Sequence, residues 1–323
     1  MRVKLTVGGI VVGLLLFLGI PLPFFAPADP RLWQTYPRNQ GPSVKHWLGT
    51  TGLGQDTFWL LSWSVHNSLL LGVTVAACAT IIGVALGLLA GYRGGLVDRV
   101  LSFFMDALIV IPSLLLLILL SSLTKGQSSL LAIGAILVTF NWPFPARQVR
   151  SIALSMRERD FIHLAWFSGE SVARILWRQM VPYLYRWAIA NFINTILVVV
   201  AVEASLAFLG LSNDNVPTLG TMIYWALKHQ ALFAGRWWWI LPPITAIILT
   251  FVGFFLLSNA IVARAEKTLG VAIGGATKDG KVGLEQTFCL GLCASGPSAM
   301  LDGRVIGRLD EARLDALLKE ARA

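Results

Sequence analysis

Residues 69–90 read LLLGVTVAACATIIGVALGLLA, an apolar run without one charged side chain. A helix needs about 20 such residues to cross the hydrocarbon core of a bilayer, and a helix satisfies every backbone N–H and C=O inside its own segment, which lipid demands. The run therefore predicts a membrane-spanning helix. Working outward from it finds five more: Val7 to Phe25, Leu101 to Leu120, Leu130 to Phe140 with its flanks, Trp187 to Leu211, and Trp237 to Val262. The expected fold is an all-α, polytopic membrane helical bundle with six transmembrane helices.

Composition supports this. Of 323 residues, 56% are hydrophobic and 13% charged, against about a quarter charged in soluble domains. The net charge of +9 is spread over short segments between apolar runs, so no compact basic domain is left to grip a nucleic acid. With the N-terminus (Arg2, Lys4) in the cytoplasm, the segments Arg93–Arg99, Arg147–Arg186 and Arg264 onward are also cytoplasmic, and they hold most of the Lys and Arg, as the positive-inside rule requires. The C-terminus is then cytoplasmic too. The first run is expected to be a retained helix, since it exceeds the roughly 7–15 residue core of a signal peptide.

Between the fourth and fifth spans lies a basic insertion expected to fold as two short helices, Glu158 to Phe167 and Ser171 to Met180, broken at Ser168-Gly169 and stopped by Pro182. Trp237, Trp238 and Trp239 open the sixth span as an aromatic belt. Ionisable residues inside a membrane are costly and face protein or water, which singles out Asp106 and Glu203. Asn191, Asn194 and Thr195 form a polar stripe on the fifth span, with Glu203 about 80° round from Thr195. These five are the pathway candidates, although Asp106 sits near a span end where a loop arginine could neutralise it. Cys78 reads as a small packed residue, and His46, His66, His163 and His229 show no metal-ligand spacing.

The order and spacing of several short pieces carry a resemblance. Gly49-Thr50 with Leu53-Gly54-Gln55-Asp56 precede the second span. Leu89-Ala90-Gly91-Tyr92-Arg93-Gly94-Gly95 with Val97-Asp98 follow it. Then come Asp106-Ala107-Leu108, Ile111-Pro112-Ser113, and Val202-Glu203-Ala204-Ser205-Leu206 running into Phe208-Leu209-Gly210-Leu211. Over residues 1–268 the chain resembles the inner-membrane permease subunits of dipeptide, oligopeptide and nickel ABC importers, with the type I transmembrane fold. The resemblance implies that residues about 156–183 form an EAA-like loop docking into a separate ATPase. Its implied contact residues are Asp160, His163, Ala165, Gly169, Glu170 and Pro182, with His163 standing where the family carries glutamate. It also implies a second permease subunit, two ATP-binding cassette domains, an extracytoplasmic substrate-binding protein, and a bacterial inner-membrane location. The chain is expected to be no enzyme, because no Gly-x-x-x-x-Gly-Lys-Ser/Thr phosphate cradle occurs in it.

Past residue 268 the character changes. Thr277-Lys278-Asp279-Gly280 and Cys289-Leu290-Gly291-Leu292-Cys293-Ala294 resemble the C-terminal half of the thioredoxin-like 2Fe-2S ferredoxin of complex I and the formate dehydrogenase gamma subunit. Residues 269–323 are thus expected to form a small α+β cytoplasmic appendage, with a hairpin around Asp302-Gly303. That family uses four cysteines, and only Cys289 and Cys293 remain as cofactor-binding candidates. Four thiolates hold such a cluster, so no cofactor is expected. A membrane-anchored iron–sulfur electron-transfer subunit is the alternative reading, resting on the tail alone.

Overall fold

The computed structural model describes residues 2–123, 130–213 and 216–258, together with short strands in the tail. The described body is helical. In chain order it holds α1 (Arg2–Gly19), a 3-10 turn (Leu22–Phe25), α2 (Thr57–Arg93), α3 (Gly95–Val110), α4 (Ser113–Leu123), α5 (Leu130–Asn141), α6 (Pro143–Arg157), α7 (Asp160–Phe167) and α8 (Val172–Arg174). A π-helical segment (Ile175–Met180), α9 (Val181–Phe208), α10 (Leu219–Lys228) and α11 (Trp237–Ser258) follow. Three helices among the described residues are long and apolar enough to cross a membrane: Thr57–Arg93, Trp187–Phe208 and Trp237–Leu256.

Helix α5 matches the fourth expected span, whereas the first and third differ from their sequence reading, and prolines explain how. Val7 to Phe25 is not one helix: α1 ends at Gly19 and Pro21 and Pro23 turn the chain into the 3-10 segment. Leu101 to Leu120 is broken between α3 and α4, because Ile111, directly before Pro112, takes an extended backbone (ψ 123°). Pro182 does not stop the helix it was expected to stop. It occupies the first turn of α9, directly after the π-helical segment, and the helix runs on past it. The 212–236 connection between α9 and α11 contains α10.

Helix α2 is the spine. Towards its C-terminal end Gly83, Gly87 and Gly91 let α6 lie against its backbone. A Cβ at Gly87 would fall 2.5 Å from the Ala146 carbonyl oxygen and 2.8 Å from the Val149 Cβ. Leu88, Val149, Ile152, Ile175, Met180 and Leu184 fill a core at this end. At the opposite end Leu60, Val65, Leu219, Met222, Trp239 and Ile240 fill another, closed over by residues 26–56. Asp56 fixes that cap to α2: its Oδ1 accepts from the backbone N–H of Phe58 (2.9 Å) and Trp59 (3.3 Å), and its Oδ2 lies 2.7 Å from His46 Nδ1. Trp238 Nε1 donates to the Thr50 carbonyl (3.2 Å), tying the cap to α11.

In the tail, Gly275–Ala276 pairs antiparallel with Gly283–Leu284. Ala299–Leu301 pairs with Arg304–Ile306, Leu301 opposite Arg304. The second pair is the hairpin expected around Asp302-Gly303. Cys289 and Cys293 lie outside the described residues. Cys78, expected to be packed, is exposed on α2.

Candidate functional site

Helix α9 connects two polar or reactive regions, and the stripe read from its sequence divides between two faces. Thr195 is buried and donates to the Asn191 carbonyl (2.8 Å), while Asn191 Nδ2 donates to Thr80 Oγ1 of α2 (3.1 Å). The Asn191 side chain thus ties α9 to α2, while the Thr195 hydroxyl bonds within α9. Asn194 is exposed. At 100° per residue, Val198, Ser205 and Phe208 share its face, and all three are exposed. Ser205 was missed in the sequence because a lone serine in an apolar run gives no periodic signal.

Glu203 lies about 180° round from Asn194 and is 1% exposed. Its Oε1 accepts from Thr218 Oγ1 at 2.6 Å and from Ser212 Oγ at 3.4 Å. Its Oε2 is buried, with no hydrogen-bond partner among the described residues. Thr218 in turn caps α10, accepting from the Thr221 N–H (3.1 Å) while its own N–H donates to Thr221 Oγ1 (2.7 Å). Two residues of α2 complete the clamp: Asn67 Nδ2 donates to the Pro217 carbonyl (2.7 Å) and Ser68 Oγ accepts from the Leu219 N–H (3.1 Å). Gly220 lets α10 settle on α9, since a Cβ there would lie 2.6 Å from the Ala207 Cβ and 2.7 Å from the Ala204 Cα. Thr218 was legible as an N-cap residue, but its contact with Glu203 spans a connection that sequence periodicity does not cover.

Asp106 is not grouped with these residues. It lies on an exposed face of α3, 2.6 Å from Arg147 of α6, the kind of arginine partner the sequence suggested. Nearby, Arg150 forms a two-pronged ion pair with Asp98, one contact at 2.7 Å. The guanidinium's hydrogen bonds hold the Asp98 carboxyl below the usual carboxylate range, against the opposing effect of burial.

At the other end of α9, α7 carries buried Ile162 and Ala165 on one side and exposed His163, Leu164, Trp166 and Phe167 on the other. Asp160 opens this helix. Gly169 follows with φ +76° and open space around its missing side chain, and Glu170 N–H donates back to the Ala165 carbonyl (3.2 Å). The chain then passes through α8 and the π-helical segment into α9 without an intervening loop. Phe161 stacks on Tyr183 with ring centroids 5.3 Å apart, and Trp177 is 73% exposed. Pro182 is exposed at the start of α9. Among the described residues no group of three or more His, Cys, Asp or Glu could hold a metal ion.

Comparison with known proteins agrees with this architecture. Residues 83–271 match the family model "binding-protein-dependent transport system inner membrane component". The oligopeptide transport system permease protein OppC of Mycobacterium tuberculosis (strain H37Rv) is 33% identical over 66% of this chain and 72% of its own length. The dipeptide permease DppC of Alkalihalophilus pseudofirmus is 30% identical over 78% and 83%. The glutathione permease GsiD of Pectobacterium atrosepticum is 32% identical over 78% and 84%. Residues 249–322 also match the thioredoxin-like [2Fe-2S] ferredoxin model, a match that begins inside α11. The chain belongs to the family of inner-membrane permease components of binding-protein-dependent transport systems, the ABC importers.

Proposed function

We propose that this chain forms half of a translocation pathway for peptides or a related small solute, and that a separate ATPase drives it through the segment between residues 156 and 183. The carrying observation is the unbroken passage from α8 through the π-helical segment into α9. A rigid displacement of α7 and α8 would be handed directly to the helix that bears Asn194, Ser205 and Glu203. π-Helical segments occur often at functional sites, and this one lies at the junction of lever and span.

In this reading α1, α2, α3 with α4, α5 running into α6, α9 and α11 make six crossings, with both termini in the cytoplasm. Asn194 and Ser205 face the pathway and a second permease subunit. Glu203 steadies the outer closure through Thr218 and Ser212. Asn191, Thr195 and Asp106 serve helix packing rather than cargo. Leu164, Trp166, Phe167 and Trp177 seat in a cleft of the ATPase, with His163 and Glu170 at its rim. Two ATP-binding cassette domains and an extracytoplasmic binding protein complete the assembly. Relatives named for oligopeptides, dipeptides and glutathione favour a peptide over nickel as cargo.

Residues 269–323 form an appendage without a cluster in this proposal. Its donor set is one cysteine pair where four thiolates are needed, and Cys78 belongs to α2. No electron-transfer step is derived from it.

Gly169 provides the test. Its φ of +76° is a conformation that Asn tolerates and a β-branched residue resists. In proteoliposomes of the assembled transporter, Gly169→Val is expected to lower uptake per ATP hydrolysed roughly tenfold, from about 1–2 kcal/mol of backbone strain. Gly169→Asn should stay near wild type. Equal coupling in the two variants would remove the lever assignment.

A further inference from the structure

The chain enters α9 through residues whose spacing does not fit an α-helix. Ile175, Met180, Leu184 and Trp187 lie in one core with Val149 and Ile152 of α6 and Leu88 of α2, and Ile175 and Met180 are both 0% exposed. Met180, Leu184 and Trp187 follow one another at the four- and three-residue steps of a single α-helical face. Ile175 stands five residues before Met180, and at 100° per residue an α-helix would turn it about 140° off that face. The π-helical segment removes the conflict. Its N–H groups reach back five residues, as that of Val181 does to the Leu176 carbonyl, so one extra residue is stored in the turn and Ile175 comes round to the core.

An α-helical register has its own side chain for the same place. Four residues before Met180 stands Leu176, which already packs against the edge of this core. Three before it stands Trp177, which is largely exposed. Isoleucine and leucine have equal volume, and a core tolerates the exchange of one for the other when it repacks. The N-terminal side is free to make that exchange. Helix α8 is three residues long and buries none of them. Before it Ser168, Gly169 and Ser171 are exposed, and Gly169, at φ +76°, has open space around it, so this break can take up a residue without disturbing packed side chains. The C-terminal side is held. Asn191 ties α9 to Thr80 of α2 (3.1 Å), and Glu203 ties it to Thr218 (2.6 Å).

We propose that residues 175–180 are a register switch with two settings. In the first, which the structure shows, the extra residue sits in the π-helical turn and Ile175 fills the core. In the second it has moved to the break at 168–171, residues 175–180 are α-helical, Leu176 replaces Ile175, and Trp177 turns inward. One such step moves α8 by about 100° and 1.5 Å relative to α9. Packed cores admit discrete arrangements and not a continuum, so the lever has two positions against α9. The role of the switch rests on the assignment of residues 156–183 to ATPase coupling: nucleotide binding by the motor favours the second setting and makes the displacement passed to α9 all-or-none.

Hydrogen–deuterium exchange of the assembled transporter, read by mass spectrometry with and without a non-hydrolysable ATP analogue, tests the switch separately from the lever. With the analogue, the amides of residues 175–180 should exchange roughly tenfold more slowly while those of 168–174 exchange faster, as the loosened turn changes place. If α7 is shielded by the ATPase but residues 175–180 do not respond to the analogue, the switch is overturned and the lever stands. If α7 is not shielded, the coupling assignment falls and takes the trigger of the switch with it. Deletion of Gln179 gives a second readout. It places Ile175 four residues before Met180, so both stay on one α-helical face and no residue is left to move, whereas Gln179→Ala removes the same side chain and keeps the count. The deletion should melt no earlier than the wild type and still capture the ATPase, yet lower uptake per ATP hydrolysed roughly tenfold. Gln179→Ala should match the wild type in all three. Wild-type coupling in the deletion variant overturns the proposal, and if that variant does not assemble, exchange in the wild type decides alone.

Discussion

At Glu203 one end of α9 meets donors from Thr218 and Ser212, and α2 grips the adjoining chain through Asn67 and Ser68. At Val181 the other end runs unbroken into a segment that exposes Trp166, Phe167 and Trp177. The first end is bonded within the chain through the Glu203 Oε1. The second leaves large apolar surfaces uncovered, and exposed patches of that kind mark contact surfaces. The proposed mechanism uses both: one end of α9 held, the other available to a motor.

The comparison can be broken most severely at Gly220. Any side chain there must displace the Ala204 backbone or the Ala207 methyl, both within 2.7 Å of the Cβ position. Gly220→Leu should therefore lift α10 off α9 and separate Thr218 from Glu203. Overpacking costs about 1–3 kcal/mol, and loss of the hydrogen bond to a charged or buried carboxyl about 1.5–3 more. The thermal midpoint in detergent should fall by several degrees, with uptake reduced. Gly220→Leu at wild-type stability would mean that the close seat of α10 is not a constraint.

A second, smaller effect sharpens the contrast from the other end. Trp177→Ala removes a ring that is 73% exposed and buries nothing, so the stability of the chain should change within about 0.5 kcal/mol. Capture of the ATPase subunit should weaken by about 2 kcal/mol, the size of an interface hot spot. Pull-down of the ATPase against thermal melting of the chain separates the two. A variant that melts early but keeps its ATPase would place Trp177 in the core instead.

How much of this was legible beforehand follows the same division. The apolar run 69–90 identified α2, and the family piece that follows it, residues 89–98, lies in the matched region 83–271, because a span is written in continuous hydrophobicity. Its neighbours were misread at Pro112 and Pro182 for opposite reasons. One proline broke a run that composition alone calls continuous, and the other sits in a helical passage that continues past it, next to a π-helical turn. The buried position of Glu203 depended on Thr218, fifteen residues away across a connection that has no periodicity. Asn194 and Thr195 are adjacent in a stripe that looked uniform, yet only one is covered, since covering depends on where α2 lies. The insertion read as two short helices of a basic segment, and only the packing against α6 reveals which side of α7 is left over.

The smallest expected effect concerns the turn that joins α2 to α3, where Asp98 meets Arg150. The side chains are 17% and 30% exposed, so water screens the pair only in part, and a contribution of about 1 kcal/mol, the upper end for surface pairs, is expected. Because Arg150 holds the Asp98 carboxyl below its ordinary value, the folded state binds this proton more weakly than the unfolded chain does. The contribution is therefore complete above the unfolded carboxylate value of about 4 and is lost as pH falls through the depressed one. A double-mutant cycle of Asp98→Asn and Arg150→Gln, read by thermal melting in detergent, should give a coupling that is constant from pH 5 to 8, roughly, and shrinks only in stronger acid. A coupling that varied across neutral pH would instead implicate a titrating partner other than this carboxylate.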